Sequence, residues 1–395
     1  MRKLFLVLAA LILVIGVLQF IPVQVGSQAQ GESPNPQASE AELALTTSWG
    51  EPNLQGLWTA EYQTPLQRRP EYADREFLTE EEVAELDDLR AKRWDRDYRE
   101  DDRGTVHDLQ GSYNSVYHVR KFTGQRTSLI TDPPNGRLPE RTPESLAHTA
   151  KMREFTLALL KASSACKDGE GSCAGGEYGA PSPLYQSAVA PHYSKGNVNR
   201  ANGPEDRSLG ERCLGGYNLE FSNQNGFFRR IVQSPGGITM YYDSGQGQGW
   251  QRNIVMNGSP HLPSHVRQWW GDSRGHWEGD TLVVDVTNFT PKTSQMGASE
   301  NLHMIERWTR TGPDTLEYTV TVDDPSTWTA PWTATQELQR QDNYSNRFYV
   351  EPRCHEGNYG MPALLRGGRA DDEAFANGTG DNPATMCLSG CTWAP

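Results

Sequence analysis

The sequence contains no C-x-x-C pair, no H-x-H, no H-E-x-x-H, no glycine-rich phosphate loop and no internal repeat. Each absence removes a class. Zinc ribbons need thiolates in close pairs, and zincin-type hydrolases need two histidines one helical turn apart. A P-loop enzyme needs the loop, and a solenoid needs the repeat. No redox-cofactor motif is visible. Positive charge is scarce: 37 Lys and Arg stand against 50 Asp and Glu, for a net charge of −13. Such a chain repels phosphate backbones, which argues against nucleic acid as a partner. The acidic residues are dispersed, with no acidic tail, and serve solubility.

Hydrophobic residues are only 36% of the 395, while Gly (38) and Pro (25) are abundant. That balance favours short strands and many loops in one large domain or two ordinary ones. The N-terminus departs from it. Arg2 and Lys3 precede an apolar run from Leu4 to Leu18, of signal-peptide length and short for a transmembrane helix. Ser27 and Ala29 form a small-x-small cleavage pattern. Residues 1–29 therefore read as an export signal, giving a periplasmic or extracellular protein. The alternative is an uncleaved N-terminal anchor, which would be the chain's membrane contact. Export places the six cysteines in an oxidising compartment, where an even number implies disulfides. Of the fifteen possible pairings, sequence proximity favours Cys166–Cys173 and Cys387–Cys391, leaving Cys213–Cys354.

Residues 30–46 form a polar linker. Residues 47–204 form an extended and helical N-terminal region. LTEEEVAELDDLRAKRWDRDY reads as a helix with a Thr79/Glu82 capping box. RTPESLAHTAKMREFTLALLKA reads as a second, with Thr142 as N-cap and Pro143 at the first helical position. YNSVYHVR and RTSLIT are two short strands, and DPPNGR is a turn. Residues 163–204, rich in Gly, Ser, Pro and Asn, read as an inserted loop. From about 226 the period becomes two. FFRRIVQS, ITMYYD, WQRNIVM, GHW, TLVVDVTNF, LHMIERWTR, LEYTVTVDD and WTATQELQR are strands joined by short turns. With no intervening helices, residues 205–360 predict an antiparallel meander closing as a lipocalin- or calycin-like barrel, a fold that holds a small ligand. Residues 361–395 supply a short helix and a tail. The fold class is mainly β, with an α-containing N-terminal extension.

The densest pattern is WWGDSRGHWEGDTLVVDVTNFT, residues 269–290. Gly279 and Asp280 make its turn, and Leu282, Val284 and Val286 share one strand face opposite Val283, Asp285 and Thr287. Glu278 and Asp280 read as turn acids. Asp272 lies in a loop at a strand end, where site residues often lie, and Trp269 is a binding candidate beside it. ENLHMIERWTR offers two faces, His303/Ile305/Arg307 and Met304/Glu306/Trp308. His303 and Arg307 on the barrel interior would form a polar floor for an anionic or hydroxylated ligand. In the converse arrangement Met304 and Trp308 face the core and the polar pair faces solvent. CHEGNYG adds His355, Glu356, Asn358 and Tyr359 on a loop tied by Cys354. His303 and His355 would serve as an acid–base pair. With Glu306 or Glu356 they are also candidate ligands of a divalent metal, which His261 and His265 could join. A serine nucleophile is disfavoured, because the β-rich pattern lacks the strand–helix alternation of a nucleophile elbow.

RTSLITDPPNGR (126–137), EDRSLGERCL (205–214), PHLPSHVRQWWGDSRGHWEGDTLVVDVTNFT (260–290), ENLHMIERWTR (300–310), VDDPSTWTAPWT (322–333) and CHEGNYG (354–360) together resemble a family of secreted bacterial proteins of unassigned activity. The resemblance covers residues 50 to 365 and implies export and a shared scaffold, not a reaction. Two functional classes remain open. One is an exported lyase or hydrolase acting on a small organic molecule, such as a carbohydrate derivative or plant aromatic. His303, Arg307, His355 and Glu356 would be catalytic, and Trp269, Asp272, Glu306, Asn358 and Tyr359 would bind. The other is a non-catalytic calycin-like binding module or a structural envelope protein.

Overall fold

Each of the eight strands read from the period-two region forms. The computed structural model describes residues 44–73, 75–94, 122–169, 173–187, 200–207, 209, 211–214, 228–243, 250–292, 296–298, 300–341 and 359–386. The strands are β1 (Gly56–Thr59), β2 (Tyr62–Gln63), β3 (Phe122–Thr123), β4 (Ile130–Asp132), β5 (Phe228–Ser234), β6 (Gly237–Asp243), β7 (Trp250–Val255), β8 (Asp272–Glu278), β9 (Thr281–Thr287), β10 (His303–Gly312), β11 (Thr315–Asp323) and β12 (Trp332–Gln341). The order β1-β5-β6-β7-β8-β9-β10-β11-β12 closes on itself through β1 and β12, giving the expected closed β-barrel, with nine strands. The ninth is β1, which the sequence reading treated only as an extended segment. Gln233 fixes it from inside: its amide donates to Pro52 O at 3.0 Å and its carbonyl accepts from the Leu54 amide. The meander is interrupted once. β7 and β8 run parallel and pair at one position, Val255 with Arg274, across the long connection 256–271.

Alternation along each strand builds the core. In β9, Leu282, Val284 and Val286 are fully buried and inward. The β8–β9 turn has Gly279 at φ 60°, the first central position, where a primed hairpin turn needs positive φ. Trp58, Trp308, Trp332 and Tyr318 are fully buried, and Trp308 lies 4.4 Å from Tyr318 between ring centroids. The guanidinium of Arg340 covers Trp58 at 4.5 Å.

Helix α1 (Glu80–Trp94) carries the expected capping box. The Thr79 amide donates to Glu82 Oε2 at 2.9 Å and the Glu82 amide to Thr79 Oγ1 at 3.2 Å. Arg75, and then Thr79, hold the Glu82 carboxyl down to about 2. Helix α2 (Pro143–Leu160) begins at Thr142, whose side chain accepts from the Ser145 amide. The end of α2 packs with Tyr185, Ala384 and the Cys166–Cys173 disulfide in a second small core. Cys213 is also disulfide-bonded. Cys354, Cys387, Cys391 and the strand expected at 113–120 lie outside the described residues. Helix α3 (Gly360–Ala376) is the expected C-terminal helix.

Gly275 on β8 permits the close approach of β7 at its short overlap. A Cβ there would stand 2.7 Å from Ile254 Cγ2 and 2.4 Å from Met256 Sδ. Gly275→Ala is therefore expected to destabilise the barrel by about 1–3 kcal/mol, read as a lowered urea midpoint with an unchanged slope. An unchanged midpoint would show that the seam yields without strain.

Candidate functional site

Strand β10 corrects one expectation. His303 and Arg307 face outward, with side chains 42% exposed, while Met304, Glu306 and Trp308 face the interior, 1%, 0% and 0% exposed. One phase of the strand must be buried. Burying Met and Trp yields about 1.5–3 kcal/mol for a side chain of that class, and Glu306 is carried inward with them.

Glu306 is not buried alone. The Arg252 guanidinium grips it with two bonds, Nη1 to Oε1 at 3.0 Å and Nη2 to Oε2 at 2.6 Å. Arg252 Nε donates to Ser273 Oγ at 2.9 Å, and the Tyr318 hydroxyl donates to Glu306 Oε1 at 3.1 Å. Arg252 reaches Glu306 from β7, past the two intervening strands β8 and β9. Register places the network between two layers. Gly275, Val284, Glu306, Val320 and Ala334 form one row across β8–β12, and Trp277, Leu282, Trp308, Tyr318 and Gln336 form the next. In that second row the indole Nε1 atoms of Trp277 and Trp308 are buried and have no hydrogen-bond acceptor among the described residues. The site-bearing interior residues Arg252, Ser273 and Tyr318 were missed by sequence reasoning. A signal existed. Arg252 shares the phase of Ile254, and Glu306 that of Met304 and Trp308. Opposite charges on the apolar phase of two strands mark a buried pair.

The residues 271–275 spell G-D-S-R-G, the spacing of a nucleophile elbow. Ser273 instead sits in the middle of the wall on β8, 4% exposed, and accepts from Arg252. No strand-to-helix turn presents it.

The outer face of the same wall carries a second arrangement. His261, in the 256–271 connection, stands between two carboxylates: Nδ1 is 2.9 Å from Asp272 Oδ2 and Nε2 is 3.1 Å from Asp285 Oδ1. His303 Nε2 is 3.0 Å from the same Asp285 oxygen. Asp272 also accepts from the Leu262 amide at 3.0 Å and from Arg274 Nε and Nη2 at 2.9 Å each. Burial pushes the Asp272 carboxyl up, but Arg274, the Leu262 amide and His261 outweigh it and leave it below the ordinary carboxylate range. Asn288 Nδ2 donates to Leu262 O at 2.8 Å, so the connection is fastened at several points.

The other expected site residues do not join either group. Arg307 pairs with Glu278 at 2.8 Å on the exposed surface, where such a pair contributes little. Trp269 is half-buried in the connection. Tyr359 is 82% exposed, at the start of α3. His355, Glu356 and Asn358 lie outside the described residues. Among the described residues, no three His, Cys, Asp or Glu side chains converge as a metal site.

No protein family and no curated protein matches the sequence. Several solved structures match part of the chain. A secretory abundant heat soluble protein from Ramazzottius varieornatus matches at 15% identity over 31% of this chain and 75% of that one, TM-score 0.22. Protein 4 of the same type and organism matches at 15% identity over 39% and 96%, TM-score 0.22. A variant of the fluorescent protein UnaG matches at 15% identity over 33% and 85%, TM-score 0.21. The barrel assignment stands on strand order and closure rather than on these likenesses.

Two outcomes follow. Glu306→Gln leaves Arg252 buried against a neutral amide and is expected to cost about 3–5 kcal/mol, most of it recovered when Arg252→Met is added. A double variant no more stable than the single would show that the pair is not a unit. Because the folded Asp272 carboxyl titrates below its unfolded value of about 3.9, its contribution is present above that value and is lost as pH falls through the folded one. The stability margin of the wild type over Asp272→Asn should therefore hold near neutral pH and shrink in acid, as measured by urea denaturation across a pH series. A margin that stays flat into acid would contradict the assignment.

Proposed function

We propose that the protein is an exported, small-molecule-binding barrel whose interior receives a ligand bearing acceptor oxygens. The observation that carries this reading is the Trp308 indole N–H, wholly buried and without an acceptor beside the Arg252–Glu306–Tyr318 network. An unsatisfied buried donor costs about 1–3 kcal/mol. Phenylalanine would drop the donor, but it is smaller than the indole and would leave space at this buried site. A ligand oxygen would satisfy the N–H instead. The fixed pair beside it supplies orientation, since Glu306 holds Tyr318 and Arg252 holds Ser273. A few converging polar groups among apolar side chains are also how small-ligand sites fix the orientation of what they bind.

A second reading, an exported lyase or hydrolase acting on a small organic molecule, draws on the series Asp272–His261–Asp285–His303. Its side chains run from 5% to 29%, 38% and 42% exposed. It requires substrate turnover that His303→Ala abolishes.

For the binding reading, Trp308→Phe is expected to lower folding stability by about 1–3 kcal/mol through the space left by the smaller ring, and to weaken ligand affinity about 5- to 10-fold, the value of one neutral hydrogen bond. Tryptophan-fluorescence titration with aromatic carboxylates, beside urea denaturation, measures both. Equal affinity in the two proteins would remove the indole from the site.

A further inference from the structure

The barrel wall is continuous except at one place. β8 pairs with β9 along its whole length, and β6 pairs with β7 throughout Tyr242–Gly237. β7 and β8 share one residue pair, Val255 with Arg274. Backbone hydrogen bonds therefore hold this seam over only a small part of its height. Side chains hold the rest. Inside, Arg252 donates to Ser273. Outside, Arg274 Nη1 donates to Ser259 Oγ at 2.6 Å, and His261 bridges to Asp272 and Asp285. One of the two indole donors without an acceptor among the described residues borders this seam. Trp277 is on β8 itself, and Trp308 is in the same row, separated from it by Leu282. Trp277 is only half-buried, although its row neighbours Leu282, Trp308 and Tyr318 are fully buried. Solvent thus reaches the inward face beside β8.

We propose that this seam is a lateral portal, and that anionic or carbonyl-bearing aromatic molecules pass between β7 and β8 beneath the 256–271 connection to place their oxygens at the Trp277 and Trp308 indoles. His261 is the latch. It belongs to the connection and ties it to carboxylates of two barrel strands, so removing it loosens the strap, which Leu262, Arg274 and Asn288 also fasten, without touching the Arg252–Glu306 pair. The proposal rests on the binding reading above and adds a route and a ligand class to it. A latch acts on rates. It shortens the open time that both association and release require, and leaves the bound contacts unchanged.

The test uses the full chain and 1-anilinonaphthalene-8-sulfonate, an anionic aromatic with acceptor oxygens. Stopped-flow fluorescence should show association and release both faster in His261→Ala, by about 5-fold, with Kd within about twofold of wild type. Asp285→Asn weakens the same latch from the barrel side and should act in the same direction if His261→Ala folds poorly. His276→Ala, exposed on the neighbouring surface, should match wild type. Hydrogen exchange supplies an arm independent of ligand. Amides of β7 and β8 should exchange faster than those of β10 and β11, and faster still in His261→Ala. Binding with latch-independent rates and uniform protection would overturn the portal and leave the binding reading intact. Rapid seam exchange with no dye bound by the wild type would overturn the binding reading, and the ligand route with it.

Discussion

The Arg252–Glu306 pair joins parts of the barrel that the backbone leaves apart. Arg252 comes from β7 and Glu306 from β10, and between these strands lies the seam where the β-ladder shrinks to one residue pair. Two ions taken from water cost several kcal/mol each, and the attraction repays this only where geometry is good and remaining lone pairs are used. Here the guanidinium fork meets both carboxylate oxygens, Ser273 takes the third N–H direction, and Tyr318 donates to Glu306. The pair is worth most because it acts across the lumen. It holds β7 to the far wall at the height where hydrogen bonding between neighbouring strands fails.

That arrangement explains how one hairpin serves two faces. Along β8, Ser273, Gly275 and Trp277 point inward, while Asp272, Arg274, His276 and Glu278 point outward. The inward set completes the polar network and the row of indoles. The outward set fastens the 256–271 connection through His261 and Arg274. The acids and rings that crowd residues 269–290 are therefore divided between lumen and surface by strand alternation, with a single wall between the two groups.

The strands, their turns and the two helix caps were legible because each rests on local chemistry: period two, Pro-Gly or Gly-Asp at a turn, Thr followed by Glu. The phase of β10 was not. HMIERW offers a polar and a mixed face, and local pattern cannot weigh Glu306 inside against His303 inside. Burying Met304 and Trp308 favours the mixed face, and Arg252, 54 residues away, permits it by removing the penalty for Glu306. β1 was hidden for a related reason. GLWT is four residues long and becomes a strand through pairing with β5 and β12, both distant in sequence. Asp285 was assigned to a wet strand face, and its partners His261 and His303 come from a connection and a neighbouring strand that only the folded register brings together.

A barrel that needed only stability would fill its lumen with aliphatic side chains, since replacing a buried ion pair by apolar residues of similar volume is often neutral or favourable. This interior keeps an ion pair, a tyrosine hydroxyl and indole donors with no acceptor. Fold specificity accounts for the pair, because the pair ties β7 to β10. It does not account for the N–H groups of Trp277 and Trp308, which meet no acceptor among the described residues. Their N–H groups cost free energy, and one of them, that of Trp277, borders the least paired seam. On the proposed binding reading, the free energy withheld from the fold is returned when a ligand oxygen reaches the donors.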